Sequence, residues 1–364
     1  MLRLTAIALT ALLALGGCTV APGFPQYADL QLAFNAQGEA PAVVNAPGQA
    51  VHQEESLFDT IPDRVGHHAA TITAFADGEL LAAWYSYAGP GELDGSAIYM
   101  SRKPAGSGAW EPPQLFIDRP IGDGNPVLYS EGDQVWLFQA VVPGGWSTSH
   151  IEIQRSADRG QTWSSPRAID GPLGANVKYP PLRTGAGELL LPAYDDLLSR
   201  SLFFVSTDAE NWTLRSAVYT DPPHEDIQPS VVRLGSGRLL AIMRNKGQEW
   251  LWAMASDDDG RSWSRPQDSG FPNPASAAAL LRLASTNLVL FFNDSPTDRH
   301  PLSVAISADD GRTWSARKVL ADGDSTYSYP SAVQSPDGLI HVLYSRGRES
   351  IQHVTLNEAW IVGG

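Results

Sequence analysis

The chain has 364 residues, with 40 acidic against 25 basic side chains and a net charge of −15. A surface of that sign repels phosphate backbones, which argues against nucleic-acid binding and requires any anionic ligand to be held by a local basic site. A single cysteine excludes an internal disulfide and any metal site built from several cysteines.

The first predicted element is a targeting segment. Residues 1–17 place one early positive charge, Arg3, before an apolar run from Leu4 to Leu15 that is too short to cross a bilayer, and small residues follow. That pattern predicts a signal peptide. Its end, Leu15-Gly16-Gly17-Cys18, resembles the lipobox of bacterial lipoproteins. The resemblance implies cleavage before Cys18, acylation of Cys18 and a lipid anchor in the bacterial cell envelope, and Thr19 in place of aspartate implies the outer membrane. Residues 18–50 are rich in Pro, Ala, Gly and Gln with little apolar periodicity, which predicts a flexible spacer. The folded domain is expected over 51–364.

That domain is repetitive. Six segments of two apolar stretches around a turn follow one another: AATITAFADGELLAAW from Ala69, then copies from Pro126, Pro180, Pro229, Ala277 and Pro330. Each predicts a β-hairpin buried on both faces. In phase with them runs the octapeptide S-x-D-x-G-x-[ST]-W, at Ser156–Trp163, Ser256–Trp263 and Ser307–Trp314, with a worn copy at Ser206–Trp212 and a fainter one at Ser101–Trp110. Repeats of roughly fifty residues, each able to supply four strands, predict an all-β, six-bladed β-propeller rather than a β-helix, whose coils are shorter. The two termini are expected to share a blade and close the ring. The octapeptide residues are turn and packing residues, so their carboxylates are expected to be scaffold.

Octapeptides of this type at this period resemble the Asp boxes of the sialidase (neuraminidase) superfamily. The resemblance implies a site on the propeller axis, where an arginine triad grips a substrate carboxylate, an aspartate is the acid/base and a tyrosine paired with a glutamate is the nucleophile. Sliding the repeats against one another puts Asn125-Pro126, Tyr179-Pro180, Gln228-Pro229 and Tyr329-Pro330 in one register, so these side chains are expected to line the axis. On that basis Arg244 and Arg299 match the second and third arginines, Asp94 the acid/base and Tyr329 the nucleophile, with Tyr327 its rival. Lys178 and Asp294 are weaker candidates for the mouth.

Three positions depart from the family pattern. His68 stands where the first arginine would, Ser345 where the glutamate bracing it would, and Gln228 where the nucleophile's glutamate would. An amide can hydrogen-bond a phenol but cannot take its proton near neutrality. His67 and His68 are expected to face opposite sides of a strand, which argues against a metal site on the pair, and no metal or cofactor is expected. Three functions follow: an exo-acting glycoside hydrolase releasing a terminal acidic sugar, a non-catalytic glycan-binding propeller, or a hydrolase or lyase for uronate-bearing polysaccharide that uses His68 and a tyrosine. The expected partner is an acidic glycan and the expected state a monomer.

Overall fold

The computed structural model describes residue 46 and residues 48–218, 225–247, 249–315 and 317–363. The predicted signal peptide, Cys18 and nearly all of the predicted spacer lie outside the described residues.

Six antiparallel sheets form the blades of a β-propeller. Blade one runs from its inner strand Gly66–Ala74 through Leu80–Tyr87 and Ala97–Lys103 to its outer strand Gln114–Asp118. Burial follows the same order. Leu80–Tyr87 is buried at every position, while Gln114–Asp118 is exposed or half-buried throughout. This is why the hairpin strands read as continuous apolar runs. The core lies between blades: Val127, Trp136 and Phe138 of blade two pack in one cluster with Leu189, Leu191 and Phe204 of blade three. Blade six pairs the N-terminal strand His52–Ser56 with Ser350–Leu356, from His52 opposite Leu356 to Ser56 opposite Gln352. The chain ends thus close the ring, which leaves no open sheet edge between first blade and last.

The octapeptides link the third strand of a blade to its outer strand. In the copy at 307–314 the Ser307 hydroxyl donates to Asp309 Oδ1 at 2.8 Å and accepts from Gly311 N at 2.9 Å. The other carboxylate oxygen accepts from the Thr313 hydroxyl at 2.7 Å. Gly311 has φ 87°, the left-handed conformation the turn needs. In the worn copy Asn211 does the work of the threonine, its amide donating to Asp208 Oδ2 at 2.8 Å. These carboxylates are spent on the turn, as expected of scaffold.

Candidate functional site

The inner strands carry a repeated irregularity that builds the site. Pairing slips between His68 and Thr71, between Gly124 and Val127, between Ile227 and Ser230 and between Ser328 and Ser331. At each slip one residue takes positive φ: Ala69 at 52°, Asn125 at 43°, Gln228 at 56° and Tyr329 at 58°. A bulge of this kind re-aims the side chain it carries. Three of the four are followed by proline, which tolerates the broken ladder because it has no N–H to lose. Left-handed backbone at a non-glycine residue costs about 1–3 kcal/mol, and such strain concentrates at functional sites. Gly124, just before one bulge, is also required: a Cβ there would stand 2.6 Å from the ring of Trp146, one of the residues lining the cleft these bulges face.

Asn125, Gln228 and Tyr329 open into a cleft of about 520 Å³ that Arg244, Arg299 and Asp94 also line. The Tyr329 hydroxyl oxygen is the centre of its polar network. It accepts from Arg244 Nη1 at 3.0 Å and from Gln228 Nε2 at 3.1 Å. Arg244 sets the orientation of the amide, since its Nη1 also faces Gln228 Oε1 at 3.4 Å. Both partners of the phenol therefore deliver hydrogens to it, and neither is a base. Arg299 lies with its guanidinium carbon 5.7 Å from the Tyr329 ring centre and donates to Ala275 O at 2.9 Å. Burial pulls its pKa below the usual arginine value, and the positive Arg244 and Arg348 nearby add to that fall. Among the described residues, neither Arg244 nor Arg299 has an ion-pair partner. The Arg244 Nε, moreover, is buried without a hydrogen-bond acceptor.

Residues 78–342 match the model of the BNR repeat-like domain, well over half of the chain. The chain belongs to the BNR repeat-like family of the sialidase superfamily. It is 25% identical to a sialidase of Micromonospora viridifaciens over 90% of its length and 22% identical to a sialidase of Bacteroides fragilis over 71%. It spans 57% and 55% of those two proteins. Among solved structures it superposes on a leech intramolecular trans-sialidase with a TM-score of 0.74, at 13% identity, covering 85% of this chain and 71% of that one. At that identity the likeness bears on the fold alone.

Not every expected residue of this BNR repeat-like chain reaches the cleft. His68 is buried behind Tyr329, its ring centre 4.3 Å from the phenol ring. Its Nδ1 meets Ser345 Oγ at 2.9 Å, so the two positions that depart together from the sialidase pattern are in contact. Burial holds the imidazole well below its usual range, hence neutral. The uronate-lyase reading needs His68 at the substrate, and the structure does not bring it there.

Blade three corrects the assumed register. Its inner strand is split into Ala175–Val177 and Leu182–Arg183, and its pairing slips by one residue more than in the other bulges. Tyr179 consequently joins the core, its hydroxyl donating to Pro330 O at 3.3 Å. Lys178 is buried with its ammonium 5.5 Å from the Tyr329 ring centre, and desolvation pulls it down to about 7. Neither lines the cleft. Tyr327 donates its hydroxyl to Asp322 O at 2.8 Å, away from the cleft, which leaves Tyr329 as the axial tyrosine. Asp294 pairs with Arg317 at 2.5 Å, outside the cleft. Asp94 does line it, on the glycine-rich loop, and accepts from Gly91 N at 2.8 Å through Oδ2.

Further residues line the cleft without a counterpart in the sequence pattern, among them Tyr85, Tyr194, Glu92 and Arg348. A signal existed for the tyrosines. Tyr85, Tyr194 and Arg244 are each the sixth residue of their blade's second strand, so the position that marked Arg244 marks them too. Tyr194 closes the network, accepting from Asn125 Nδ2 at 3.1 Å and from Gln228 Nε2 at 3.4 Å. Glu92 and Arg348 lie in loops outside the repeat and had no such signal.

Proposed function

We propose that the protein is an exo-acting, sialidase-like glycoside hydrolase that releases a terminal acidic sugar, of sialic or related ulosonic acid type. The observation that carries this reading is the pair Arg244 and Arg299: two guanidinium groups at one cleft, without a protein carboxylate between them, in a chain whose net charge is −15. Planar forks of this kind match a carboxylate bidentately.

In this reading the arginines hold the sugar carboxylate and Asp94 stands over the glycosidic bond as the acid. Its proton passes to the leaving oxygen, which keeps the electron pair of the broken bond. Water then adds to the anomeric carbon and gives its proton back to the Asp94 carboxylate. Gln228 supplies no base to Tyr329, so the phenol serves as an oxygen lone-pair donor rather than as an attacking nucleophile freed by a neighbouring carboxylate. As Arg244 turns part of its fork to the substrate carboxylate, a lone pair on the phenol oxygen becomes free to face the oxocarbenium centre. The signal segment and Cys18 support display from the cell envelope on a lipid anchor.

Incubation of the purified protein with a panel of acidic glycosides tests the reading. Release of the free acidic sugar is expected, abolished in Asp94→Ala and reduced about a hundredfold in kcat, at little change in KM, in Tyr329→Phe. No release from any glycoside, or undiminished release by Asp94→Ala, overturns it. A second reading has its own support in the amide at position 228, which supplies no base: a propeller that binds acidic glycans without turning them over. Saturable binding with no release would select it.

A further inference from the structure

The position of the first clamp residue is filled by the buried pair His68 and Ser345, so no guanidinium reaches the substrate from there. A third guanidinium reaches the same cleft by another route. Arg348 lies in the tight turn after the second strand of blade six, at φ 60° beside Gly347 at φ 61°. Two backbone bonds fix that turn. Gly347 N donates to Thr326 O at 2.8 Å, and the Arg348 carbonyl accepts from His67 N at 2.7 Å. The second bond anchors Arg348 one residue from His68, beside the position the missing arginine would have held.

The side chain is oriented as well. Arg348 Nη1 pairs with Glu92 Oε1, and the other oxygen of that carboxylate accepts from the Tyr85 hydroxyl at 3.1 Å. One edge of the guanidinium is thus held by a fixed acid, and the Tyr87 hydroxyl hydrogen-bonds the group as well. Arg348 keeps 39% of its side-chain surface accessible, so it is reachable without unfolding the loop.

We propose that Arg348, braced by Glu92 and Tyr85, is the third carboxylate-gripping residue of this cleft and replaces from blade six the arginine that His68 displaced from blade one. The proposal rests on the acidic-sugar reading above and sharpens it: specificity is for a substrate carboxylate gripped by three forks, two from second strands and loops of blades four and five and one from the turn of blade six. It also accounts for Glu92, which would otherwise be an acidic side chain repelling the ligand at the mouth.

The test separates this role from that of a loop pin. Full-length wild-type protein and the Arg348→Met and Arg348→Lys variants are titrated with free N-acetylneuraminic acid and with its methyl ester, which has the same shape and no charge. Thermal unfolding of each variant serves as the folding control. The wild type is expected to prefer the acid. Arg348→Met should weaken the acid about tenfold and leave the ester within twofold, as befits one charge-assisted contact, and Arg348→Lys should recover part of the loss. Equal weakening of acid and ester would mean that Arg348 only pins the Glu92 loop, and no weakening of either would mean that it does not touch the carboxylate. Both results overturn the proposal and leave the reading of the cleft standing. If the wild type itself shows no preference for the acid, the acidic-sugar reading falls, and this proposal falls with it.

Discussion

The rim and the axis of the propeller use polar residues in opposite ways. At the rim, the intact octapeptides close their serine, aspartate and glycine bonds within the turn: the serine-to-aspartate contact is 2.6, 2.8 and 2.8 Å in the three intact copies, and the glycine-to-serine contact 2.7, 2.9 and 2.9 Å. At the axis, polar atoms are left over. His68 Nε2, Asn176 Nδ2 and Arg244 Nε are all buried without hydrogen-bond partners among the described residues, the bulges are strained, and Lys178 is desolvated. Buried polar groups are normally satisfied, so unmatched polar atoms and strained backbone together beside a cleft are a cost consistent with ligand binding there. Hence the contrast: removing a polar or aromatic rim residue should destabilise the fold and spare the cleft, and removing a polar group near the axis should do the reverse.

The largest effect is expected at the rim. Trp263 is 4% exposed and stacks on Phe203 with ring centres 4.3 Å apart. Truncation in Trp263→Ala removes a large buried ring and leaves a cavity between blades, at a cost of about 4 kcal/mol in denaturant unfolding. The affinity for an acidic sugar, measured on the folded fraction, should stay within twofold. A variant that kept its stability and lost its affinity would break the contrast.

Next in size is Asp226, at the start of the inner strand of blade four, two residues before Gln228. Burial pushes its carboxyl up to about 7, and the bonds from Ser201 do not offset that. The folded state therefore holds its proton where the unfolded state has already lost it, and stability falls as pH rises from about 4 to about 7. Asp226→Asn has the same shape and nothing to titrate. It should match the wild type at pH 4 and exceed it at pH 8 by on the order of 2 kcal/mol in unfolding free energy. A destabilised variant at pH 8 would show that the buried carboxylate is paired after all.

What could be read from the sequence divides along the same line. The blades and the octapeptides were legible because the physics of a buried hairpin and a hydrogen-bonded turn repeats with the chain. Gln228, Tyr329, Asn125 and Arg244 were legible because the axis samples the repeat at fixed positions. Tyr179 was misplaced by one extra residue in the bulge of blade three, and no side-chain pattern signals such a slip. His68 was correctly placed against Ser345 but not in its burial, which depends on Tyr329 from a blade distant in sequence. Arg348 and Glu92 meet through two loops that belong to no repeat, so only the folded chain brings them together.

The smallest effect sharpens the rim side of the comparison within a single octapeptide. Asp257 and Asp258 are adjacent and equally charged, yet their surroundings differ. Asp257 pairs with Arg238 at 2.7 Å on a largely open surface, with 45% of its side chain accessible. Asp258 accepts from Ser256 Oγ at 2.8 Å, Ser262 N at 2.9 Å and Ser262 Oγ at 2.6 Å. Burial alone would raise the Asp258 carboxyl, but the bonds from Ser262 and Ser256 outweigh it and hold it below its usual value. A depressed native value means that its stabilisation is present above the ordinary carboxylate range and is lost as pH falls below it. Asp258→Ala should therefore cost about 1.5 kcal/mol at pH 7 and less at pH 3. Asp257→Asn should cost under about 0.5 kcal/mol at pH 7, because an exposed ion pair is screened by water and salt. Unfolding curves of the two variants at both pH values settle the point. Equal penalties would mean that charge holds the rim together, whereas the unequal ones expected here assign that work to hydrogen bonds closed inside the turn.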